Sequence, residues 1–269
     1  MSDRLDRFEM KFVLTPEQKE VLMPCLLPRL RPDGHGDAEG FYPIVSLYYD
    51  SFERDSYWEK VRGQGSRRKL RVRVYGSRDG ALPPTSFVEI KHKCDSRVVK
   101  RRVEMPTETA LAICDLQSVG LRLNFAESRV IEEVQGLVAG RGFRPVCCMR
   151  YDRRALADLD PSSDLRITFD SGIGYRMSDL TPQPDDNRFS EYLLTPGSMV
   201  MEVKGTGAVP YWLARLLGEM NCILTSFSKY SNALEAGDPY LRGLRESQQL
   251  WSSKSERTTA SKVAYCLCA

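Results

Sequence analysis

The sequence predicts an α+β fold in which about eight mainly antiparallel strands form a tunnel, a barrel with a charged lumen, and helices pack outside it. Three observations predict it. Charged and aliphatic residues alternate with a period of two through residues 68–104, which is strand spacing, because successive side chains on a strand face opposite ways. Helix-start signals recur between the strand-like segments. The chain also shows no internal repeat and no linker. One domain is therefore expected over residues 1–245, with a polar, poorly ordered tail over 246–269.

In chain order, Arg7 to Leu14 alternates Arg7, Glu9 and Lys11 against Phe8, Met10 and Phe12. Thr15, Pro16 and Gln18 then read as an N-cap, a proline at the first helical position and a capping-box partner, opening a helix to about Leu30 that Pro24 and Pro28 should kink or shorten. Residues 31–43 are loop, and Ile44–Asp50 is a strand. Ser51 caps a short helix carrying Tyr57, Trp58 and Val61.

Three charged strands follow. In the first, Lys69, Arg71 and Arg73 oppose Leu70, Val72 and Val74. In the second, Glu89, Lys91 and Lys93 oppose Val88 and Ile90. The third sets Lys100, Arg102 and Glu104 opposite Val99, Arg101 and Val103. Asp79–Gly80 with Pro83–Pro84 makes the first connection, and Cys94–Ser96 is tight enough for a hairpin. Helices are expected over 108–119 and 127–140, strands over 143–156, 165–170 and 199–204, a loop over 178–197, a helix from Pro210 to Met220, and a short helix within 226–234.

Composition narrows the function. With 42% apolar residues the 269-residue chain can bury a core. Lys+Arg 39 against Asp+Glu 36 leaves a net charge of only +3. A cationic face in such a chain is a focused site, and the overall charge is too small for a sequence-independent nucleic-acid footprint. No window approaches the roughly 18 apolar residues of a membrane span. Residues 1–7 are too polar for a secretory signal, so a cytoplasmic protein is expected. The eight cysteines lack zinc-ligand spacing and read as free thiols. Two histidines, His35 and His92, are too few for a His-based metal cage or a His-activated nucleophile.

Collected by face, Arg7, Lys11, Lys69, Arg71, Arg73, Lys91, Lys93, Lys100, Arg102, Arg153, Arg166 and Lys204 outnumber Glu9, Glu89, Glu104, Asp170 and Glu202. Like charges opposite one another on paired strands are destabilising. Such a set persists most naturally around a polyanion, and Arg forks with Lys point charges suit a chain of phosphates better than one carboxylate. Glu9, Glu89 and Glu202 then read either as ligands of a divalent ion that also touches phosphate, or as partners that orient the cations. Chemistry would be phosphoryl transfer by positioning and charge neutralisation.

The ordered set Arg7–Lys11, Tyr48–Ser51, Lys69–Gly76, Glu89–Lys91, Lys100–Arg102, Arg150–Ala155, Arg166–Asp170, Glu202–Lys204 and Ser228–Ala233 resembles the triphosphate tunnel metalloenzymes, and among them the polyphosphate polymerase (VTC) domain. The resemblance runs from residue 7 to about 235. It implies phosphate contacts for Lys11, Arg71, Arg73, Lys91, Lys100, Arg153, Arg166, Lys204 and Lys229, with Glu202 on a metal, Mn2+ or Mg2+. It also implies ATP as donor and inorganic polyphosphate as acceptor and product. Alternatives are a tunnel phosphohydrolase and a non-catalytic polyphosphate-binding module. The eukaryotic polymerases of this kind carry a phosphate-sensing domain and membrane helices; neither is seen here, so export of product would need a membrane partner from another chain. Arg7 stands where triphosphatase relatives carry glutamate, which favours the polymerase branch.

Overall fold

The computed structural model describes residues 7–76, 85–95, 97–117, 119–120, 122–183 and 185–247. In chain order the elements are β1 (Arg7–Leu14), α1 (Pro16–Leu26), a 3-10 turn (Leu27–Arg29), β2 (Leu30–Pro32), β3 (Phe41–Asp50) and α2 (Asp55–Val61). Then come β4 (Ser66–Tyr75), β5 (Thr85–Cys94), β6 (Arg97–Glu104), α3 (Thr107–Cys114), α4 (Phe125–Gln135), a π turn (Gly136–Gly140) and β7 (Arg144–Asp158). The last are β8 (Arg166–Arg176), β9 (Glu191–Tyr192), β10 (Met199–Thr206), α5 (Tyr211–Glu219) and α6 (Lys229–Gly237).

The alternating segments pair into one curled antiparallel sheet whose main path runs β1–β10–β8–β7–β3–β4–β5–β6, with β2 and β9 attached at the side. It is the α+β arrangement expected, an eight-stranded half-barrel with helices around it. β1 and β6 end the path and no pairing joins them among the described residues.

Register turns the alternation into a charged concave face. Lys69 of β4 lies opposite Lys91 of β5, which lies opposite Lys100 of β6. Arg71, Glu89 and Arg102 form the next row. Across the sheet Lys11 opposes Glu202, and Glu9 opposes Lys204. The convex face is apolar. Leu70, Val72, Val88, Ile90 and Val103 pack with Ile113 of α3 and Val130, Ile131 and Val134 of α4. Phe12, Ile167, Phe169, Met201 and Val203 pack with Leu22 and Leu26 of α1 and Leu213 and Leu217 of α5.

α6 departs from the expectation that helices stay outside. Its Tyr230, Ala233 and Leu234 pack with Ile44, Tyr48, Met149 and Tyr151 on the concave side, so it covers part of the trough.

Boundaries shift for identifiable reasons. The capping box of Thr15 and Gln18 forms, and Pro24 sits inside α1, but the α-helix stops at Leu26 and Pro28 falls in the 3-10 turn. α2 starts at Asp55, later than Ser51, because the Asp50 carboxylate accepts from the amides of Ser51, Ser56 and Tyr57 at 2.8, 2.9 and 3.3 Å. α4 starts before 127, since Asn124 and Glu127 form a second capping box. Its continuation is a π turn. The first expected helix ends early, at Cys114, just before Leu116 adopts a positive φ of 59°.

The 79–84 connection, Ser96 and residues 248–269 lie outside the described residues. No helix among the described residues is long and apolar enough to cross a membrane. The six described cysteines are free thiols, with Cys114, Cys147 and Cys148 buried.

Candidate functional site

The β4–β5–β6 wing of the trough holds more cations than acids. Arg73 is 5% exposed. Its guanidinium donates to Ser46 Oγ at 3.1 Å, Tyr75 OH at 3.3 Å and Tyr151 OH at 3.0 Å. Neutral oxygens thus orient it, and Glu89 stands off at 3.9 Å. Arg71 donates to Glu89 Oε2 at 2.6 Å and to Tyr48 OH at 3.2 Å. Lys100 meets Glu89 Oε1 at 2.5 Å. Burial opposes the charge of Glu89, but Arg71, Arg73 and Lys100 outweigh it and hold the carboxyl well below its ordinary range.

The lysine row is less compensated. Lys69 and Lys91 make no ion pair among the described residues; Lys69 instead donates to Ser228 Oγ at 3.1 Å and lies 5.2 Å from the Tyr230 ring centroid. Burial, with repulsion from Lys60 and Lys91, lowers Lys69 to about 7. Partial desolvation, with the charges of Lys11, Arg71 and Lys204, lowers Lys91 against the pull of Glu9. Desolvation lowers Lys100 to about 8 despite Glu89. Lys93 is half-buried on the same face, while Arg102 sits at the exposed rim with its guanidinium 4.4 Å from the Phe87 ring centroid.

The β1–β10–β8 wing, with Arg153 of β7, is interleaved in sign. Asp170 is fully buried. It accepts from Arg153 at 2.6 and 2.8 Å and also from Lys229 of α6. Glu202 meets Lys204 at 2.9 Å, Lys11 at 3.4 Å and Lys229 at 3.9 Å. Glu9 meets Lys11 at 3.1 Å. Burial raises the cost of charging Asp170 and Glu202, yet Arg153 and Lys229 for the first, and Lys229, Lys11 and Lys204 for the second, hold both below the ordinary carboxylate range. Arg166 is pinned by Asp33 of the β2–β3 loop at 2.5 and 2.8 Å and by Tyr42 OH at 3.1 Å.

The segment entering α6 joins the wings. Lys11 Nζ donates to the Phe227 carbonyl at 3.3 Å, Ser228 takes Lys69, and Lys229 takes Asp170. Tyr230 stacks on Tyr48 at 5.1 Å and donates to Asp50 at 2.5 Å.

Two of the three carboxylates expected to meet a metal come together, Glu9 and Glu202 around Lys11, while Glu89 stays on the opposite wing. No group of three His, Cys, Asp or Glu side chains that could hold a metal ion occurs among the described residues. A hard divalent ion bound through one or two carboxylates and completed by substrate phosphates is nonetheless a usual arrangement for Mg2+. The Glu9–Glu202 pair fits it. So does Thr168 Oγ1, buried without a hydrogen-bond partner and directly opposite Glu202 in register.

The concave face collects Lys11, Lys69, Arg71, Arg73, Lys91, Lys93, Lys100, Arg102, Arg153, Arg166 and Lys204 as read from the sequence, and α6 adds Lys229. Arg7 is at the rim, 76% exposed and 3.8 Å from Asp164. Sequence reasoning counted Asp170 without a role and missed Asp33, Ser46, Ser228 and the hydroxyls of Tyr42, Tyr48, Tyr75 and Tyr151. For Tyr75 the signal was there, since it continues the phase of Arg71 and Arg73 along β4.

A family model described as the VTC domain matches residues 6–236. A putative adenylyl cyclase from Hippeastrum with a dominant triphosphatase activity is similar in structure, with TM-score 0.49 and 16% identity over 86% of this chain and 96% of that chain. A putative adenylate cyclase from Vibrio parahaemolyticus gives TM-score 0.42 and 10% identity over 84% of this chain and 96% of that one. No curated protein matches.

Proposed function

The chain belongs to the VTC-domain family, and from that premise we propose that it is a metal-dependent polyphosphate polymerase that transfers the terminal phosphate of ATP to inorganic polyphosphate. The observation that supports this reading is the row Lys69–Lys91–Lys100, like charges directly opposite on three neighbouring strands and facing the trough. Such a row is unfavourable when empty and favourable beside a phosphate chain.

In this reading the acceptor's terminal phosphate oxygen attacks the γ-phosphorus of ATP. One P–O bond forms, the bond to the β-phosphate oxygen breaks, and ADP leaves. Arg71 and Arg73, locked by Glu89 and by tyrosine and serine oxygens, meet the charge that spreads over the transferring group, a positioning and electrostatic role that needs no protein nucleophile. Lys69, Lys91, Lys93, Lys100 and Arg102 hold the phosphate chain along their wing. Lys11, Arg153, Arg166, Lys204 and Lys229 face it from the other side. Glu202 and Glu9 would hold the divalent ion, Mn2+ or Mg2+, which when bound neutralises phosphate oxygens. Glu89, paired with Arg71 and Lys100, is better suited to orienting cations. Delivery of product across a membrane would fall to a partner chain.

The test is to incubate the protein with ATP and Mn2+ or Mg2+ and to resolve products on a gel alongside released phosphate. Long chains with ADP, abolished by EDTA, are expected. Free phosphate without chains would replace the polymerase by a phosphohydrolase, and tight polyphosphate binding without turnover would leave a binding module.

A further inference from the structure

At one mouth of the trough, α2, β4 and β5 bring together three lysines, Lys60, Lys69 and Lys91, that make no ion pair among the described residues. Lys69 of β4 reaches only the Ser228 hydroxyl and the Tyr230 ring. Lys60 lies on α2, which packs against β4, and its positive charge disfavours protonation of Lys69. Lys91 lies directly opposite it on β5. Lys11 of β1 adds a further positive charge, and on β4 itself Arg67 and Arg71 flank it. Asp50 of β3, whose charge favours protonation of Lys69, is already engaged by the Tyr230 hydroxyl and three amides. Lys60 likewise makes no ion pair among the described residues: Glu235 attracts it, but that carboxylate is taken by Arg245 and by Tyr57 OH at 3.2 Å.

We infer that Lys60, Lys69 and Ser228 form a phosphate subsite at this mouth, which loads by taking up a proton from solvent onto Lys69 Nζ together with the phosphate chain. The inference rests on the proposed phosphate-chain reading and deepens it: Lys60 becomes a contact that strand alternation could not reveal, and binding becomes proton-linked. The physical reason is the surrounding charge. Empty, the subsite makes a third like charge between Lys60 and Lys91 unfavourable; with a phosphate oxygen beside Nζ, the protonated form becomes the favoured one. Proton uptake on binding follows by linkage.

The experiment is calorimetric titration of the whole chain with long-chain polyphosphate, in EDTA, in two buffers of different ionisation enthalpy at pH 6, 7, 8 and 9. Interior phosphates are ionised throughout, so the ligand contributes few protons. With Lys69 near 7 in the free protein, uptake should be about 0.1 proton at pH 6, about 0.5 at pH 7 and about 0.9 at pH 8. Affinity should fall about fivefold from pH 7 to 8 and about tenfold from 8 to 9. Lys69→Arg, which stays charged, should bind without that uptake and with the steep pH dependence removed. Lys69→Met should bind more weakly at pH 6 and also lack the uptake. Lys60→Met should weaken binding at pH 6 and, by relieving the repulsion on Lys69, reduce uptake at pH 8. Tight binding with no uptake, or with uptake unchanged in Lys69→Arg, would overturn the proton link while sparing the polymerase reading. Absence of polyphosphate binding at every pH would overturn both.

Discussion

The two wings of the trough use the same residue types to different ends. Around β1, β10 and β8 each acid sits between cations: Asp170 between Arg153 and Lys229, Glu202 between Lys204 and Lys11, Asp33 on Arg166. Around β4, β5 and β6, Glu89 serves Arg71, Arg73 and Lys100 together, and Lys69 and Lys91 have no ion-pair partner among the described residues. The first wing is internally balanced and therefore stable when empty. The second carries an excess that an anion would neutralise. A cationic face is thus not one property: the same charge can belong to the fold or to the ligand, and pairing decides which.

The largest expected effect breaks the balanced wing. Asp170→Asn leaves Arg153 and Lys229 facing each other without a buried counter-charge, and should lower stability by about 3–5 kcal/mol, measured by chemical denaturation. Adding tripolyphosphate should not restore it, because Asp170 is 0% exposed; full restoration would erase the distinction between the wings. Next, Arg71→Lys, which keeps a charge beside the buried Glu89 but loses the guanidinium fork, should lower kcat for chain elongation about 10²-fold while leaving the fold intact. Arg73 is a poorer choice for that test, since its removal also orphans Ser46, Tyr75 and Tyr151 in a buried place.

The pH response separates the wings more gently. Glu202 and Asp170 have folded pKa values below their ordinary ones, so the stability they contribute is present above about pH 4 and is lost only as pH falls through the depressed values. Lys69 acts oppositely. Its folded value is near 7 whereas the unfolded chain keeps that proton to about pH 10. Between these the unfolded state binds more protons, so without anion the protein should gain stability as pH rises above 7. Thermal melts at pH 6.5 to 9 should show the rise in the wild type and a flatter profile in Lys69→Met. The smallest effect is expected at Arg7→Ala: a 76% exposed side chain 3.8 Å from Asp164 should contribute less than about 1 kcal/mol. A large loss of polymerisation there would move the boundary of the site outward to the rim.

Much of this was legible in the chain. Where one face is apolar and the other charged, as in β4, β5 and β10, period-two reading recovered which side chains share the lumen. Thr15 and Gln18 gave the start of α1. Alternation is least informative in β3, whose residues Tyr42 to Asp50 are all buried. Both of its faces are covered: Ile44 shares a face with Ser46, Tyr48 and Asp50, and Tyr49 lies opposite with Val45 and Leu47, so polarity alone does not mark which face lines the lumen. β2 and β9 are three and two residues long, too short for any periodicity. Asp33 and Ser228 act from outside the strands, where their roles depend on tertiary placement. Alternation alone puts Glu9, Glu89 and Glu202 alike on the charged face, and only the resemblance singles out Glu202; the order of strands in the sheet is what separates Glu89 from the other two.

The seam between β1 and β6 bears on how a polymer could occupy this protein. Backbone hydrogen bonds do not close it among the described residues, and Glu9 of β1 and Lys91 of β5 attract each other without forming an ion pair. A ring closed by backbone bonding can be occupied only by threading a free end, so a molecule thousands of units long would have to be reeled through from its tip. If polyphosphate is the ligand, a groove that backbone pairing leaves open would admit the middle of a chain sideways, and chain length would not govern how quickly the protein is loaded.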